Sequence, residues 1–393
     1  AISLPLFSSN LPPIIAFRVN EGNQYTNKTD ISLEIKSLKL GDSLIAEMKI
    51  GLNPSLNDVP WVKYSNDKIN LTLSEGDGEK TIYAQLRDIA GNTSPVESSK
   101  IILDTTPPQD IQISINNDEK YSGDEKRRVL IYIRSTEEDL EEMIFSNKSD
   151  FSDSKWEKMA GTKKWLLDGA GGDGNKTVYA KFKDRAGNIS QIISDDIILD
   201  THPPEQGSIV INNDAKFTNN NKIVLKIHAK DAAMVRIVSS GKSETFPYEV
   251  NEGQEHMEIE WSLDSTEGTK VVRVYFMDEA KNRTTTVIQD EIIFDRSGPP
   301  PPNILINGDK RFTNHKDGKV NIRLMTRVNP MTVKLMISNQ IDFADASPQN
   351  FRDVINNWQL PAEEDGMKTI YAKLIDEAGN HSEIAQALSL IHI

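Results

Sequence analysis

A motif that occurs four times organises this chain of 393 residues. Residues 176–190 read KTVYAKFKDRAGNIS, with apolar residues at alternate positions and a break at Ala-Gly-Asn. Related stretches occupy residues 80–94, 270–284 and 368–382. The aspartates that end the alternation are Asp88, Asp184, Asp278 and Asp376, separated by 96, 94 and 98 residues. A period this constant predicts four copies of one structural unit.

Composition excludes several classes of protein. The net charge of −14 argues against binding to nucleic acid or to anionic membranes, which require basic surfaces. The chain contains no cysteine, so disulfides, thiol nucleophiles and cysteine-ligated metals are impossible. No apolar run is long enough to span a bilayer, and we expect no membrane insertion.

Three proline-rich junctions divide the chain, at Asp104–Pro108, Asp200–Pro204 and Asp295–Pro302. Such sequences are stiff and extended, which predicts restricted motion between neighbouring units. We expect residues 1–12 to be the remnant of a preceding domain and its linker. The four predicted domains are residues 13–106, 107–202, 203–300 and 301–393, the last incomplete at its C-terminus.

Within each unit, short alternating segments are separated by Asn- and Gly-containing turns, and no helical period is evident. This pattern predicts an all-β fold with an antiparallel β-sandwich of about seven strands per unit. Each core should contain one large apolar residue from the middle of the unit. The residues at that position are Ile69, Trp165, Trp261 and Trp358.

The repeated motif is interpreted as the sixth strand and the turn that closes it. Val178, Ala180 and Phe182 share one face of this strand, which predicts their burial. Asp184 lies where the strand ends, so its carboxylate can accept backbone N–H groups of the turn. Gly187 and Asn188 are residue types that tolerate left-handed backbone conformations. The third copy has Lys281 in place of this glycine, which predicts strain of about 1 kcal/mol if the turn is retained.

The order of these signals resembles the bacterial Ig-like, or fibronectin III-like, tandem repeats of exported surface proteins. The resemblance rests on Gly-Asp-Gly-x-Lys-Thr, Asp-x-Ala-Gly-Asn and Ile-Ile-Leu-Asp-Thr-x-Pro-Pro, and covers nearly the whole chain. It implies a tandem array of four Ig-like domains at the cell surface or in the extracellular medium. It also implies a role in stalks of adhesins or surface-layer proteins, or as accessory modules beside secreted enzymes.

No catalytic motif emerges. Residues 169–177, GAGGDGNKT, approximate a phosphate-binding loop but precede an alternating strand, whereas that loop requires a following helix. The six histidines show no metal-ligand spacing, and the acidic run at 137–142 is typical of a solvated surface. Asn-x-Ser/Thr sequons at Asn92, Asn188 and Asn380 coincide with the turn motif, which explains them without glycosylation. We therefore predict no enzyme activity and no cofactor.

Calcium is the one metal for which candidates exist. In an Ig-like topology, the turn after the motif strand faces the preceding domain and its linker. Linker and turn aspartates could then meet, and clustered carboxylates suit a hard cation. The candidate ligands are Asp104, Asp184, Asp200, Asp278, Asp295 and Asp376.

Two functions remain. The first is a non-catalytic, monomeric spacer or adhesive stalk, with glycan or protein partners bound through domains outside this segment. The alternative is a carbohydrate-binding or accessory array of a secreted polysaccharide-active enzyme. That alternative predicts an exposed planar aromatic surface, for which Trp61, Trp156 and Phe351 are candidates.

Overall fold

The computed structural model describes residues 14–38, 45–310, 312–313, 317–361 and 366–391. The predicted remnant at residues 1–12 and two of the six histidines, His315 and His392, lie outside these ranges. The described residues contain 32 strands and two short 3-10 helices, at Asn20–Gly22 and Pro330–Thr332. Among them, no helix is long and apolar enough to cross a membrane.

The first sandwich, domain 1, contains strands β1 to β8. Their bounds are β1 Ile14–Val19, β2 Tyr25–Thr26, β3 Asp30–Leu38, β4 Ile45–Gly51, β5 Val62–Lys63, β6 Ile69–Thr72, β7 Gly78–Asp88 and β8 Glu97–Leu103. One sheet has the order β1-β3-β6 and the other β2-β8-β7-β4-β5.

Domain 2 repeats this arrangement in strands β9 to β16. They are β9 Gln112–Ile115, β10 Tyr121–Ser122, β11 Arg128–Arg134, β12 Leu140–Ser146, β13 Glu157–Lys158, β14 Thr162–Leu166, β15 Gly174–Asp184 and β16 Ile193–Leu199. The sheets are β9-β11-β14 and β10-β16-β15-β12-β13.

Domain 3 contains strands β17 to β24. They are β17 Glu205–Ile211, β18 Phe217–Thr218, β19 Lys222–Lys230, β20 Met234–Ser239, β21 Lys242–Pro247, β22 Met257–Ser262, β23 Gly268–Met277 and β24 Ile288–Phe294. The sheets are β17-β19-β22 and β18-β24-β23-β20-β21.

Domain 4 contains strands β25 to β32. They are β25 Asn303–Ile306, β26 Phe312–Thr313, β27 Lys319–Met325, β28 Lys334–Ser338, β29 Gln349–Asn350, β30 Val354–Gln359, β31 Gly366–Ile375 and β32 Ala385–Ile391. The sheets are β25-β27-β30 and β26-β32-β31-β28-β29.

The predicted all-β fold of four Ig-like sandwiches is confirmed, with two corrections. Each domain has eight strands in the described residues where about seven were predicted, and the motif strand is the seventh rather than the sixth. The sandwich is also not purely antiparallel, since β2 pairs in parallel with β8, and β10, β18 and β26 pair likewise with the last strands of their domains. The parallel pair forms because the chain leaves the first sheet after the opening strand and joins the edge of the second.

The buried side chains follow the predicted alternation. Val178, Ala180 and Phe182 on β15 are fully buried in the core of domain 2. Trp261 is buried in domain 3, while Trp165, Trp358 and Ile69 are half-buried against the cores of their own domains. Burial of these apolar faces between the two sheets provides the main stabilisation of each sandwich.

The chain divides into two compact units, residues 1–201 and 202–393. The first contains domains 1 and 2, and the second contains domains 3 and 4. Each unit therefore has one junction between two sandwiches within it.

Candidate functional site: the linker within each unit

The turn after the motif strand is closed by its aspartate. Asp184 accepts hydrogen bonds from the backbone N–H of Asn188 at 2.8 Å and from the side-chain amide of Asn188 at 2.9 Å. Equivalent pairs occur in the other three domains: Asp88 with Asn92, Asp278 with Asn282, and Asp376 with Asn380. The aspartate thus satisfies turn N–H groups, as the sequence predicted.

The turn glycine has the left-handed conformation that the sequence predicted, with φ of 93° at Gly187. Lys281 retains this conformation with φ of 72°, so the third copy preserves the turn in spite of its substitution. Asn188 is not among the residues with positive φ. The asparagine is therefore present for its side chain rather than for its backbone.

The asparagine side chain extends from the turn to the preceding linker. The Asn188 amide donates a hydrogen bond to the backbone oxygen of Asp104 at 2.8 Å, across the junction of domains 1 and 2. In the second unit, the Asn380 amide donates to the backbone oxygen of Asp295 at 2.8 Å. Asn282 makes a longer contact of 3.3 Å with the oxygen of His202, the first residue of that unit. One side chain thereby joins the turn of a domain to the segment that leads into it.

The upstream domain holds the next residues of the same linker. The Asp77 carboxylate accepts the backbone N–H and the hydroxyl of Thr105, both at 2.9 Å, and the hydroxyl of Thr106 at 2.8 Å. In the second unit, Glu267 accepts the N–H of Arg296 at 2.8 Å and the hydroxyl of Ser297 at 2.9 Å. The linker is therefore bonded to both of the domains it connects.

These bonds shift the protonation of the carboxyls. Hydrogen bonds from Thr106 and Thr105 hold the pKa of Asp77 below its ordinary value. Bonds from the Arg296 N–H and the Ser297 hydroxyl lower the pKa of Glu267 in the same way. Both groups bind the linker in their ionised form.

Backbone packing adds a steric element to the junction in the second unit. A Cβ atom added at Gly298 would lie 2.2 Å from the backbone oxygen of His381, which follows the linker-binding asparagine. The structure requires glycine here because only hydrogen fits between linker and turn.

One polar contact at the junction in the first unit involves side chains alone. The Arg185 guanidinium lies 5.9 Å from the ring centroid of Tyr25 and contacts its hydroxyl at 3.4 Å. Tyr25 belongs to domain 1 and Arg185 to the turn of domain 2. A cation–π contact of this kind favours one arrangement of the two domains within the unit.

Two of the calcium candidates meet at this same junction. Asp104 and Asp184 each place a carboxylate oxygen within 4.8 Å of the others in a group completed by Asp139. Burial raises the pKa of Asp104, and the neighbouring Asp184 and Asp139 carboxylates raise it further. Carboxylate oxygens at this spacing fit a hard cation such as calcium. Calcium binding at this position stays a prediction.

The remaining calcium candidates have other partners. Asp376 and Asp295 are joined by the Asn380 side chain, which bonds the carboxylate of the first and the backbone oxygen of the second. Asp278 binds Asn282 in its own turn, and the Asp200 carboxylate lies within 4.8 Å of the Asp173 carboxylate. These four residues likewise remain predicted ligands.

The aromatic candidates for carbohydrate binding are not exposed platforms. The half-buried Trp61 ring lies under the guanidinium of Arg87, at 4.5 Å from its centroid. The Trp156 ring is covered by Lys183 at 4.2 Å, and Phe351 packs against the core of domain 4. In the segment that resembles a phosphate-binding loop, residues 170–173 form a turn and residues 174–177 begin β15, so a strand follows as the sequence predicted.

Reasoning from the sequence did not identify Asp77, Glu267 or Asp139, nor the linker hydrogen bonds of Asn188, Asn282 and Asn380. One signal was present in the repeats themselves. The third copy loses the turn glycine at Lys281 but retains Asn282, which indicates a role for the amide side chain. The acceptors lie about 80 residues earlier in the chain, where no local pattern identifies them.

Comparison with known proteins gives structural neighbours only. No protein-family model and no curated protein sequence matches this chain. A tetra-tandem repeat from the extending region of a large adhesion protein is 15% identical, with 97% of this chain and 99% of that chain covered and a TM-score of 0.31. A structure of a 1.5-MDa bacterial ice-binding adhesin is 11% identical, with 72% and 98% covered and a TM-score of 0.33.

A third neighbour is the set of fibronectin(III)-like modules of Clostridium thermocellum CbhA. It is 13% identical, with 47% of this chain and 94% of that chain covered and a TM-score of 0.31. Values this low do not assign a function. The neighbours are tandem adhesin repeats and fibronectin III-like modules. The strand order of its sheets shows by itself that the chain is a tandem array of Ig-like β-sandwiches.

Proposed function

We propose that this chain is a non-catalytic spacer segment of a bacterial extracellular or cell-surface protein, in which linkers of restricted motion separate the sandwiches. The observation that carries the proposal is the bonding of each within-unit linker to both neighbouring domains. Asn188 and Asp77 bind the linker from opposite sides in the first unit, and Asn380 and Glu267 do so in the second.

The energies of these hydrogen bonds favour restricted motion of the two domains about the linker rather than a rigid connection. A protein hydrogen bond contributes about 0.5–1.5 kcal/mol net, so a few bonds per junction bias its geometry strongly while still allowing it to open. The Pro-Pro sequences that follow reduce the freedom of the linker further. Flexible Gly/Ser linkers would instead favour independent tumbling of the domains.

The two-sided linker contact recurs with different residue types, which supports a structural role. Asp77 in the first unit corresponds to Glu267 in the second, and Thr105 to Arg296. In both junctions, the upstream domain provides a carboxylate that binds the linker and the downstream domain provides an asparagine that binds it. A carbohydrate-binding role has no comparable support, because cations or core residues cover the candidate aromatic rings.

A surface-display experiment tests the spacer role. The chain is placed between a membrane anchor and a fluorescent tag, and the height of the tag above the cell surface is measured. A spacer predicts that deleting residues 107–202 lowers the tag by a fixed step, and that deleting 107–300 lowers it by about two steps. Unchanged height after either deletion would exclude this role.

We further propose that the domain boundaries are those expected from the sequence, residues 13–106, 107–202, 203–300 and 301–393. Every sheet draws its strands from within one of these ranges. Domains of about 95 residues can fold without help from a neighbour. Expression of residues 107–202 alone tests this, since a cooperative thermal transition is expected and an unfolded fragment would contradict it.

A further inference from the structure

Domain 3 contains a groove of about 430 Å³ on the outer face of its five-stranded sheet. The strands β20, β21 and β23 and the turn after β23 form it. In the sheet register Met234 faces Met277, and Arg236 faces Tyr275 on one side and Thr245 on the other. Arg283 completes the lining from the turn.

The same place is closed in domains 1 and 2. The residue before the turn aspartate there is Arg87 or Lys183, each in an ion pair with the glutamate that faces it, Glu47 or Glu142. Trp61 or Trp156 then covers the cation. The glutamate, the cation and the tryptophan thus cover this part of the sheet in both domains.

Domain 3 replaces the covering residues. Met277 stands at the position of Lys183, directly before the turn aspartate Asp278, and Met234 stands at that of Glu142. Both methionines are half-buried and form an apolar floor. Methionine side chains are flexible and polarisable, so such a floor adapts to varied apolar groups.

The sides of the groove are cationic. Arg236 and Arg283 are exposed, and neither forms an ion pair with a residue that the structure describes. Arg236 is oriented by a hydrogen bond to the Ser243 hydroxyl at 2.9 Å and by the Tyr275 ring at 5.9 Å from its centroid. The two arginines give the groove a local positive charge, although the net charge of the chain is −14.

We propose that this groove binds an acidic peptide segment, in which an apolar side chain contacts the methionines and flanking carboxylates bind Arg236 and Arg283. Arginine is suited to this because its planar guanidinium binds a carboxylate through two parallel hydrogen bonds. A sugar would need an open aromatic face, but the guanidinium of Arg236 already lies over the Tyr275 ring. The proposal is independent of the spacer role.

The test is calorimetric titration of the full chain with a short peptide that contains Glu-Leu-Glu between Gly-Ser flanks. The matched probes are the same peptide with Gln-Leu-Gln and a sulfated disaccharide. We expect the acidic peptide to bind, with affinity that falls as salt is added. The neutral peptide should bind about tenfold more weakly or not at all.

Variants locate the binding. Arg236→Ala and Arg283→Ala should each weaken binding about tenfold. Met234→Glu, which restores the glutamate of domains 1 and 2, should abolish it. Arg273→Ala is the control, because Arg273 lies on the same sheet face but binds Gln289 outside the groove, and its affinity should equal that of the unaltered chain.

Three results would overturn the proposal: no binding of the acidic peptide, binding that persists in Arg236→Ala and Arg283→Ala, or binding of the sulfated disaccharide alone. Thermal melting of each variant distinguishes lost binding from lost folding. Both arginines are exposed, so their replacement should leave the melting temperature of the chain unchanged.

Discussion

The side-chain amide of Asn188 lies 2.8 Å from the backbone oxygen of Asp104, a residue 84 positions earlier in the chain. The same amide bonds the Asp184 carboxylate at 2.9 Å. Because the aspartate fixes the amide, its second hydrogen is directed at the linker. An element that closes a turn within one domain therefore also positions the domain before it.

Replacement of Lys281 by glycine should stabilise domain 3. The left-handed conformation costs a residue with a side chain about 1–2 kcal/mol, whereas glycine adopts it freely. The added entropy of the unfolded chain offsets about 0.4–1 kcal/mol of this gain. We expect slower hydrogen exchange in β23 and β24 of Lys281→Gly, measured by mass spectrometry.

The reverse change provides the matched control. Gly187→Lys in domain 2 should accelerate exchange in β15 and β16, since φ at this position is 93°. If Lys281→Gly exchanges faster than the unaltered chain, the strain attributed to this turn is wrong.

Gly298→Ala should open the linker between domains 3 and 4. Its methyl group would lie 2.2 Å from the His381 oxygen, so the linker must move and the Asn380 bond to Asp295 must lengthen or break. Trypsin cleavage after Arg296, within this linker, reports the change, and we expect it to be faster in the variant.

Gly161→Ala serves as the comparison, because an added Cβ there has no neighbour within 4 Å. Its cleavage at Arg296 should match that of the unaltered chain. Equal rates in Gly298→Ala would show that the close approach does not restrain the linker.

The hydrogen bonds between the linkers and the carboxylates of Asp77 and Glu267 should weaken in acid. Folding lowers the pKa of Asp77 and of Glu267. Their contribution to the free energy of unfolding is therefore fully present above their pKa values in the unfolded chain, about 3.9 and 4.3. It is lost as the pH falls through their lower pKa values in the folded chain. Asp77→Ala should therefore lower the melting temperature near neutral pH, and the difference should shrink below about pH 4. The exposed Asp58→Ala is the control, and a difference for Asp77→Ala that is constant across pH would contradict this assignment.

Calcium should raise the melting temperature of the first unit if it binds Asp104, Asp139 and Asp184. The comparison is between millimolar calcium and a chelator, with Asp139→Asn as the variant. We expect the rise to shrink or disappear in Asp139→Asn, because the amide removes one of the three negative charges that attract the cation. In chelator that variant should be at least as stable as the unaltered chain, since like charges no longer crowd Asp104. An equal melting temperature in calcium and in chelator would contradict the prediction of a calcium site.

Much of the fold was predictable because the core depends on local alternation. Val178, Ala180 and Phe182 could be assigned to one buried face from their spacing alone, and Asp184 to the turn from its place at the strand end. The strands at Tyr25–Thr26 and Val62–Lys63 could not be predicted, since two residues carry no period. The parallel pairing of β2 with β8 escaped for the same reason.

The site was predicted less completely than the fold. The expected topology correctly placed the turn opposite the linker. It predicted contacts between aspartates, however, and not the contact of the asparagine. The Asn188 contact depends on the path of the linker after β8, which no pattern within the motif encodes. Asp77 binds Thr105 and Thr106 across a separation of 28 and 29 residues, again outside any local period.

The most direct test measures the spread of distances between domains 1 and 2. Because the chain has no cysteine, spin labels at Asn57→Cys and Lys164→Cys in the full chain report on this junction alone. We predict a narrow distance distribution that broadens in Asn188→Ala and stays narrow in Asn92→Ala, whose asparagine belongs to the turn of domain 1. A distribution that is already broad in the unaltered junction, or one that stays equally narrow in Asn188→Ala, would contradict the proposal that this asparagine restrains the linker.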